Sequence, residues 1–178
     1  MAVCGAGGGH SVLTIDEFAA AGFALPRLPE AIQQELGRSI RDFVNSDAGF
    51  ILNNPVDITN LPTSESHYRV LRTLADHDGI DLLVIQFSVN NSGWPYADSN
   101  LSNWPESLTE AVIRVKNETD KPVAMIVHAV LSEWDAQKSL KLQQRCYEAG
   151  LPVFRSIASA ATAIDRLVRY YERRREAR

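Results

Sequence analysis

Helical and strand patterns alternate along the whole sequence, and this alternation constrains the fold more than any other feature. The clearest strand candidates are the nearly continuous apolar runs at 81–87 and 122–127, a pattern typical of strands covered on both faces. Shorter apolar runs at 2–4, 23–25 and 152–154 are further strand candidates. The stretches between them carry apolar residues three or four positions apart, which is typical of amphipathic helices. Such alternation predicts an α/β fold with a parallel sheet and right-handed crossovers.

The expected architecture is a three-layer, flavodoxin-like domain with a five-stranded parallel sheet in the order 2-1-3-4-5. The first strand and the strands centred on Val84 and Ile126 would then be central. We find no internal repeat and no linker, so we predict a single domain over residues 1–178. The charged tail at 171–178 is expected to fray into solvent.

Composition excludes several classes of function. The chain has 178 residues, and its net charge of −4 gives no electrostatic footprint for nucleic acid. No apolar run approaches the ~18 residues that a membrane span needs. A secretory signal pattern is not present at the N-terminus, so we expect a cytoplasmic protein. Cys4 and Cys146 lack metal-site spacing. We therefore predict buried free thiols and no metal site.

A glycine-rich segment, Gly5-Ala6-Gly7-Gly8-Gly9-His10-Ser11, lies between the first predicted strand and the first predicted helix. In open α/β sheets, ligands bind outside the carboxyl ends of strands, beside the change in strand order. Glycines there allow close backbone approach, and the N–H groups of a helix start favour phosphate or carboxylate. The alternative is a tight turn that only needs a positive φ. We predict phosphate binding by five residues: Gly7, Gly8, Gly9, His10 and Ser11.

The common phosphate-binding and nucleophile motifs do not fit this segment. A dinucleotide fingerprint needs glycine where His10 stands, and a P-loop needs a Gly-Lys-Ser/Thr run. The nucleophile elbow GxSxG is also missing. His10 itself has two open interpretations, because it would either contact and protonate a bound phosphate or simply face solvent at the helix start.

Three other segments have ambiguous patterns. Asn54-Pro55-Val56-Asp57 places an amide and a carboxylate in a loop, where an Asx-turn is the simpler interpretation. The loop from Trp94 to Trp104 is aromatic and polar, and would form either a recognition surface or a lid on the sheet edge. The last helix is basic but interleaved with glutamates, which is typical of a solvated face.

Taken in order, several short segments resemble one known module. They are Gly7–Asp16, Gly22, Asn54–Ile58 and Pro152–Ser156. Together they resemble the ligase-CoA, flavodoxin-like domain of NDP-forming acyl-CoA synthetases, which are relatives of succinyl-CoA synthetase. The resemblance runs over nearly the whole chain.

The resemblance implies one part of a larger enzyme that catalyses acyl-CoA + NDP + phosphate ⇌ acid + CoA + NTP. It implies partners carrying a CoA-binding domain, a phosphohistidine and an ATP-grasp module, with CoA, ATP or ADP and Mg²⁺ bound by the whole enzyme. This domain would aim a helix N-terminus at the phosphoryl group through Gly7, Gly8, Gly9 and Ser11. Asn54 and Asp57 would line the same crevice. Alone, the chain would hold at most phosphate and would not be active, and oligomerisation stays open.

His10 is not predicted to be the phosphorylated residue, because the phosphohistidine motif of the family is not present around it. The alternative function is a non-catalytic signalling or interaction module with the same strand order. Signalling receivers of that kind need an aspartate at the end of a central strand. Here the central strands end in Phe87-Ser88-Val89 and Val127-His128, which counts against this alternative.

Overall fold

The computed structural model describes residues 1–5, 8–59, 61–89, 103–128 and 132–176. All strand pairs within its five-stranded sheet are parallel, and the strand order is β2-β1-β3-β4-β5. The predicted α/β, flavodoxin-like fold and its strand order are therefore confirmed. The strands are β1 (Ala2–Gly5), β2 (Val56–Asp57), β3 (Leu83–Phe87), β4 (Val123–Val127) and β5 (Val153–Phe154).

Six helices surround the sheet within the described residues. Pro105 lies in the first turn of the fourth helix, as its missing N–H favours. The charged tail is helical as far as Glu176, and its last two residues lie outside the described part of the chain. The helices are α1 (Gly8–Ala20), α2 (Glu30–Arg41), α3 (Ser64–Asp76), α4 (Trp104–Glu118), α5 (Glu133–Glu148) and α6 (Ile157–Glu176).

The second strand is not where the apolar pattern predicted it. Residues 23–25 are irregular, and the Phe23 ring packs edge-on against Phe18 with centroids 5.5 Å apart. The strand that pairs with β1 is instead Val56–Asp57. The prediction at 23–25 was wrong because a short apolar run also fits a loop that packs against a core. A two-residue strand next to Asn-Pro carries almost no strand signal of its own.

Alternating side chains along the strands build two cores of unequal size. One face of the sheet packs against α2–α5 through residues such as Cys4, Ile85 and Met125. The opposite face packs a smaller core against α1 and α6 through Val84 and Ile126. Because successive strand residues point to opposite faces, Gln86 and His128 continue the register of Val84 and Ile126 toward α1.

The change of face after β1 leaves a crevice at the carboxyl ends of β1 and β3. The helix that follows β1 covers the smaller core, since Phe18 of α1 packs there. The helix that follows β3 covers the larger core, through Leu108 of α4. Flavodoxin-like sheets bind their ligands at this kind of position.

Both cysteines are buried and free, as predicted. Burial raises the pKa of the Cys4 thiol, with the nearby Asp57 carboxylate adding to the effect. Burial also raises the pKa of Cys146 to about 11. These thiols therefore stay protonated and unreactive at neutral pH. Among the described residues, no helix has the length and apolar character to cross a membrane.

Candidate functional site

The first turn of α1 stands at the carboxyl end of β1 and exposes its backbone. Gly8 and Gly9 are exposed, and a Cβ built on either would meet no atom within 4 Å. Neither glycine has a positive φ, so at these two positions the tight-turn interpretation fails. What two helical glycines do provide is a helix start with no side chains over its N–H groups. Such a start favours an anion.

Gly5 has a different role, because it allows a close approach of β3. A Cβ at Gly5 would lie 2.1 Å from the Gln86 carbonyl oxygen and 2.9 Å from the Gln86 side chain. These two residues are register partners in the sheet. Any larger residue than glycine would therefore push Gln86 away from the end of β1.

Gln86 is fully buried in an otherwise apolar strand and connects α1 to β4. Its amide Nε2 donates to the Ser11 hydroxyl oxygen at 3.4 Å. Its Oε1 lies 2.8 Å from Nε2 of His128. Because an amide oxygen only accepts, Nε2 of His128 carries the proton in this contact. Gln86 thus connects Ser11, at the end of the glycine segment, to the residue that follows β4.

His128 stacks on His10 at the mouth of the crevice. The two ring centroids are 4.1 Å apart and the ring planes differ by 17°. The His128 backbone N–H donates to the Phe87 carbonyl at 2.9 Å, which fixes its place beyond β4. Burial lowers the pKa of His128 to about 4, with the nearby His10 contributing in the same direction. His128 is therefore neutral at physiological pH, and the His10 ring stacks on a ring that hydrogen bonds hold in place.

Asn54 and Asp57 are not brought to the same place. The Asn54 side chain accepts from Val3 N–H at 2.9 Å and donates to the carbonyls of Met1 and Pro26. It therefore braces the beginning of β1, away from the glycine segment. Asp57 lies beside Gly5 at the carboxyl edge, and its carboxylate accepts the Thr59 N–H at 2.9 Å in an Asx-turn.

A cavity of about 370 Å³ adjoins His128 on the β5 side. Its polar wall includes Gln143, whose Nε2 donates to the Ser139 hydroxyl at 2.9 Å. Arg155, which follows β5, brings an exposed cation to the rim. The rest of the lining is Val127, Ala136 and Leu140. The crevice therefore adjoins a mostly apolar cavity with one polar wall, of the size that small ligands occupy.

Two further predictions concern the aromatic loop and metals. Trp104 is buried at the start of α4, edge-on to His67 and Phe87, so it is a core residue. Trp94, Tyr96 and the rest of that loop lie outside the described residues, as does Gly7. Within the described ranges, no three His, Cys, Asp or Glu side chains converge as a metal site would require.

Gln86 and His128 were missed at the level of sequence, although a signal exists. Gln86 interrupts an apolar strand that is covered on both faces, and a buried amide there needs partners. His128 directly follows the equivalent strand β4. Their shared register toward α1 becomes visible only when both strands are placed in one parallel sheet.

Comparison with known proteins yields a structural likeness. No protein-family model and no curated protein matches the sequence. The chain superposes on PH0766 from Pyrococcus horikoshii OT3 with a TM-score of 0.70 and 27% identity, covering 94% of this chain and 34% of that one.

Two structures of dinucleotide forming acetyl-coenzyme A synthetase 1 from Ca. Korarchaeum cryptofilum are also similar. The apo form gives a TM-score of 0.71 and 20% identity over 96% of this chain and 33% of that chain. The form in complex with phosphate and ADP gives the same TM-score and identity over 96% and 32%. The protein thus shares its fold with about one third of the length of these larger chains.

Proposed function

We propose that this protein is the phosphate-cradling domain of an NDP-forming acyl-CoA synthetase. The observation that carries the proposal is the bare first turn of α1, which Gly8 and Gly9 leave open at the carboxyl ends of β1 and β3. The shared fold with one third of a dinucleotide forming acetyl-coenzyme A synthetase supports it. The order of the sequence segments that resemble the family module supports it independently.

The chemistry asked of this domain is positioning and charge stabilisation. A phosphoryl group in transfer spreads negative charge over its equatorial oxygens. Preorganised N–H groups and a helix dipole stabilise that charge without reorganisation during the reaction. The Ser11 hydroxyl, buried in the same helix, adds a further hydrogen-bonding group. None of these residues needs to become covalently modified.

The remaining chemistry belongs, in this proposal, to other domains or subunits. The overall reaction is acyl-CoA + NDP + phosphate ⇌ acid + CoA + NTP, with a CoA-binding domain, a phosphohistidine and an ATP-grasp module as partners. Asp57 accepts the Thr59 N–H within its own turn, and no group of three His, Cys, Asp or Glu side chains that could hold a metal converges among the described residues. We therefore assign no magnesium-dependent step to this chain.

A phosphate titration followed by amide NMR tests the proposal directly. Phosphate should shift the amide signals of Gly8, Gly9, His10 and Ser11, while those at the start of α3 stay in place. Potassium chloride at matched ionic strength is the control, because it reproduces screening but not a specific oxyanion. Equal shifts with chloride, or none with phosphate, would contradict the proposal.

A bulky substitution tests the same turn by steric means. Gly8→Trp should fold normally, because a side chain there meets open space, yet it should cover the first-turn N–H groups and abolish the phosphate-dependent shifts. Ala31→Trp, at an equally exposed position in the first turn of α2, is the matched control. Phosphate binding that survives Gly8→Trp would disprove the role of this turn.

A further inference from the structure

Hydrogen bonding around Gln86 has a defined direction. His128 Nε2 donates to the amide oxygen of Gln86 at 2.8 Å, and the amide nitrogen donates to Ser11 Oγ at 3.4 Å. In both hydrogen bonds, the donor lies on the side of β4 and the acceptor on the side of α1. We call this three-residue arrangement of His128, Gln86 and Ser11 the Gln86 bridge.

This direction determines which hydrogen bonds the Ser11 hydroxyl can still make. One lone pair of Ser11 Oγ accepts from Gln86, so the hydroxyl hydrogen must point elsewhere. Ser11 is 2% exposed, and no acceptor for that hydrogen is found among the described residues. A buried hydroxyl whose hydrogen has no acceptor among the described residues gains most from an acceptor supplied by a ligand. Phosphate oxygens at the α1 start are such acceptors.

The bridge also sets the position of His10. His128 is held at its backbone by Phe87 and at its ring by Gln86. The His10 ring lies flat against it, with centroids 4.1 Å apart. The ring at the third position of α1 is thus oriented by β3 and β4, since no hydrogen bond of its own is found within the described part of the chain.

We propose that Gln86 and His128 are positioning residues of the anion site, which keep the Ser11 hydroxyl free to donate and hold the His10 ring beside the first turn of α1. This rests on the proposed function, because it assigns how the same turn is made ready for phosphate. Gly5 belongs to the arrangement as the residue whose missing side chain makes room for Gln86.

Gln86→Glu reverses the bridge while nearly preserving its shape. A carboxylate accepts from both neighbours, so it would capture the Ser11 hydroxyl hydrogen and add negative charge beside the anion. At about pH 7.5, phosphate affinity of the full chain, measured from the amide shifts, should fall about tenfold or more. Gln144→Glu makes the same charge change on the exposed side of α5 and should alter the affinity less than about twofold.

Low pH provides a readout that a merely structural role would not move. Once protonated, the carboxyl group introduced by Gln86→Glu has one O–H donor and one acceptor oxygen, so it reproduces the amide pattern. The affinity ratio between the wild-type protein and Gln86→Glu should therefore shrink as the pH falls toward about 5, because the buried carboxyl group is easily protonated.

His128→Phe keeps the assignment testable if the charged variant does not fold. Phenylalanine preserves a ring to stack on His10 but removes the donor to Gln86, and phosphate affinity should fall about threefold. Wild-type affinity in both variants would overturn this inference and leave the proposed function standing. If the wild-type protein shows no phosphate shifts at all, the proposed function fails, and this assignment fails with it.

Discussion

Helices α1 and α3 both begin at the carboxyl edge of the sheet, and their first turns are completed in opposite ways. At α3, the Thr63 hydroxyl accepts the Ser66 N–H at 3.1 Å, and the Ser66 hydroxyl accepts the Thr63 N–H at 3.1 Å. At α1, the first described positions are Gly8 and Gly9, which have no side chain to offer. The start of α3 is capped by its own side chains, whereas Gly8 and Gly9 of α1 have no side chain that could cap the first turn.

The histidines near these two helix starts differ in the same way: one belongs to the core and the other is accessible. His67, in the first turns of α3, is fully buried with its ring edge-on to Trp104. His10, in the first turn of α1, is partly exposed and stacks on His128. The difference teaches that position at the carboxyl edge is not sufficient to make a site. We expect the edge of the sheet to bind an anion only where the local sequence leaves N–H donors without a cap.

Acid should destabilise the fold mainly through protonation of His67 in α3, and this loss of stability is the largest effect that we expect. Burial lowers the pKa of His67 to about 4, whereas a histidine in the unfolded chain has a pKa of about 6.5. The folded protein then holds this histidine neutral, so its stability is fully present above about pH 6.5. It is lost as the pH falls toward 4, because the unfolded state binds more protons. The loss should reach about 3 kcal/mol.

Denaturant unfolding at several pH values measures this loss. His67→Leu should flatten the dependence on pH, because the apolar side chain has no proton to bind. His128→Phe should flatten it less, since His128 lies half-buried at the edge of the fold and its charged form is better solvated. Equal slopes in the wild-type protein and His67→Leu would show that other groups dominate acid unfolding.

The sequence was sufficient for the order of the sheet but not for the identity of every strand. Long apolar runs at β3 and β4 specify buried strands because only a central position covers both faces. Strand β2 is two residues long beside Asn54-Pro55, so pairing with β1 selects it rather than any propensity of its own. The apolar run at 23–25 serves the smaller core as a loop.

The candidate site, too, could be predicted from the sequence only in part. Glycines at a strand-to-helix junction are a local signal, so the junction after β1 could be predicted from the sequence. The helix nevertheless begins at Gly8, inside the segment that was predicted to precede it. Gln86 and His128 come from strands much further along the chain, and only the parallel register brings them to Ser11. The family resemblance implied that Asn54 lines the same crevice as the glycine segment, yet its amide braces the opposite end of β1.

Removing the α3 cap should lower the stability less than acid does and should not change phosphate binding at the proposed anion site. Thr63→Ala removes the side chain that accepts the Ser66 N–H, which should lower the free energy of unfolding by about 1 kcal/mol. Thr63→Asn, which keeps a capping oxygen, is the control. Phosphate-dependent amide shifts in α1 should be the same in all three proteins. A weaker phosphate response in Thr63→Ala would show that the two helix starts are coupled.

Filling the first turn of α1 should produce the smallest change in stability, and of the opposite sign. Gly9→Ala adds a methyl group where no atom lies within 4 Å, and alanine favours a helix over glycine by up to about 1 kcal/mol. The variant should therefore unfold at slightly higher denaturant concentration while binding phosphate less well, because the methyl group partly covers the N–H donors. If Gly9→Ala instead destabilised the protein, the glycine would be required by the backbone, and the contrast between the two helix starts would lose its functional meaning. Better folding with weaker binding would mean that the open start is kept at a cost in stability, as functional sites often are.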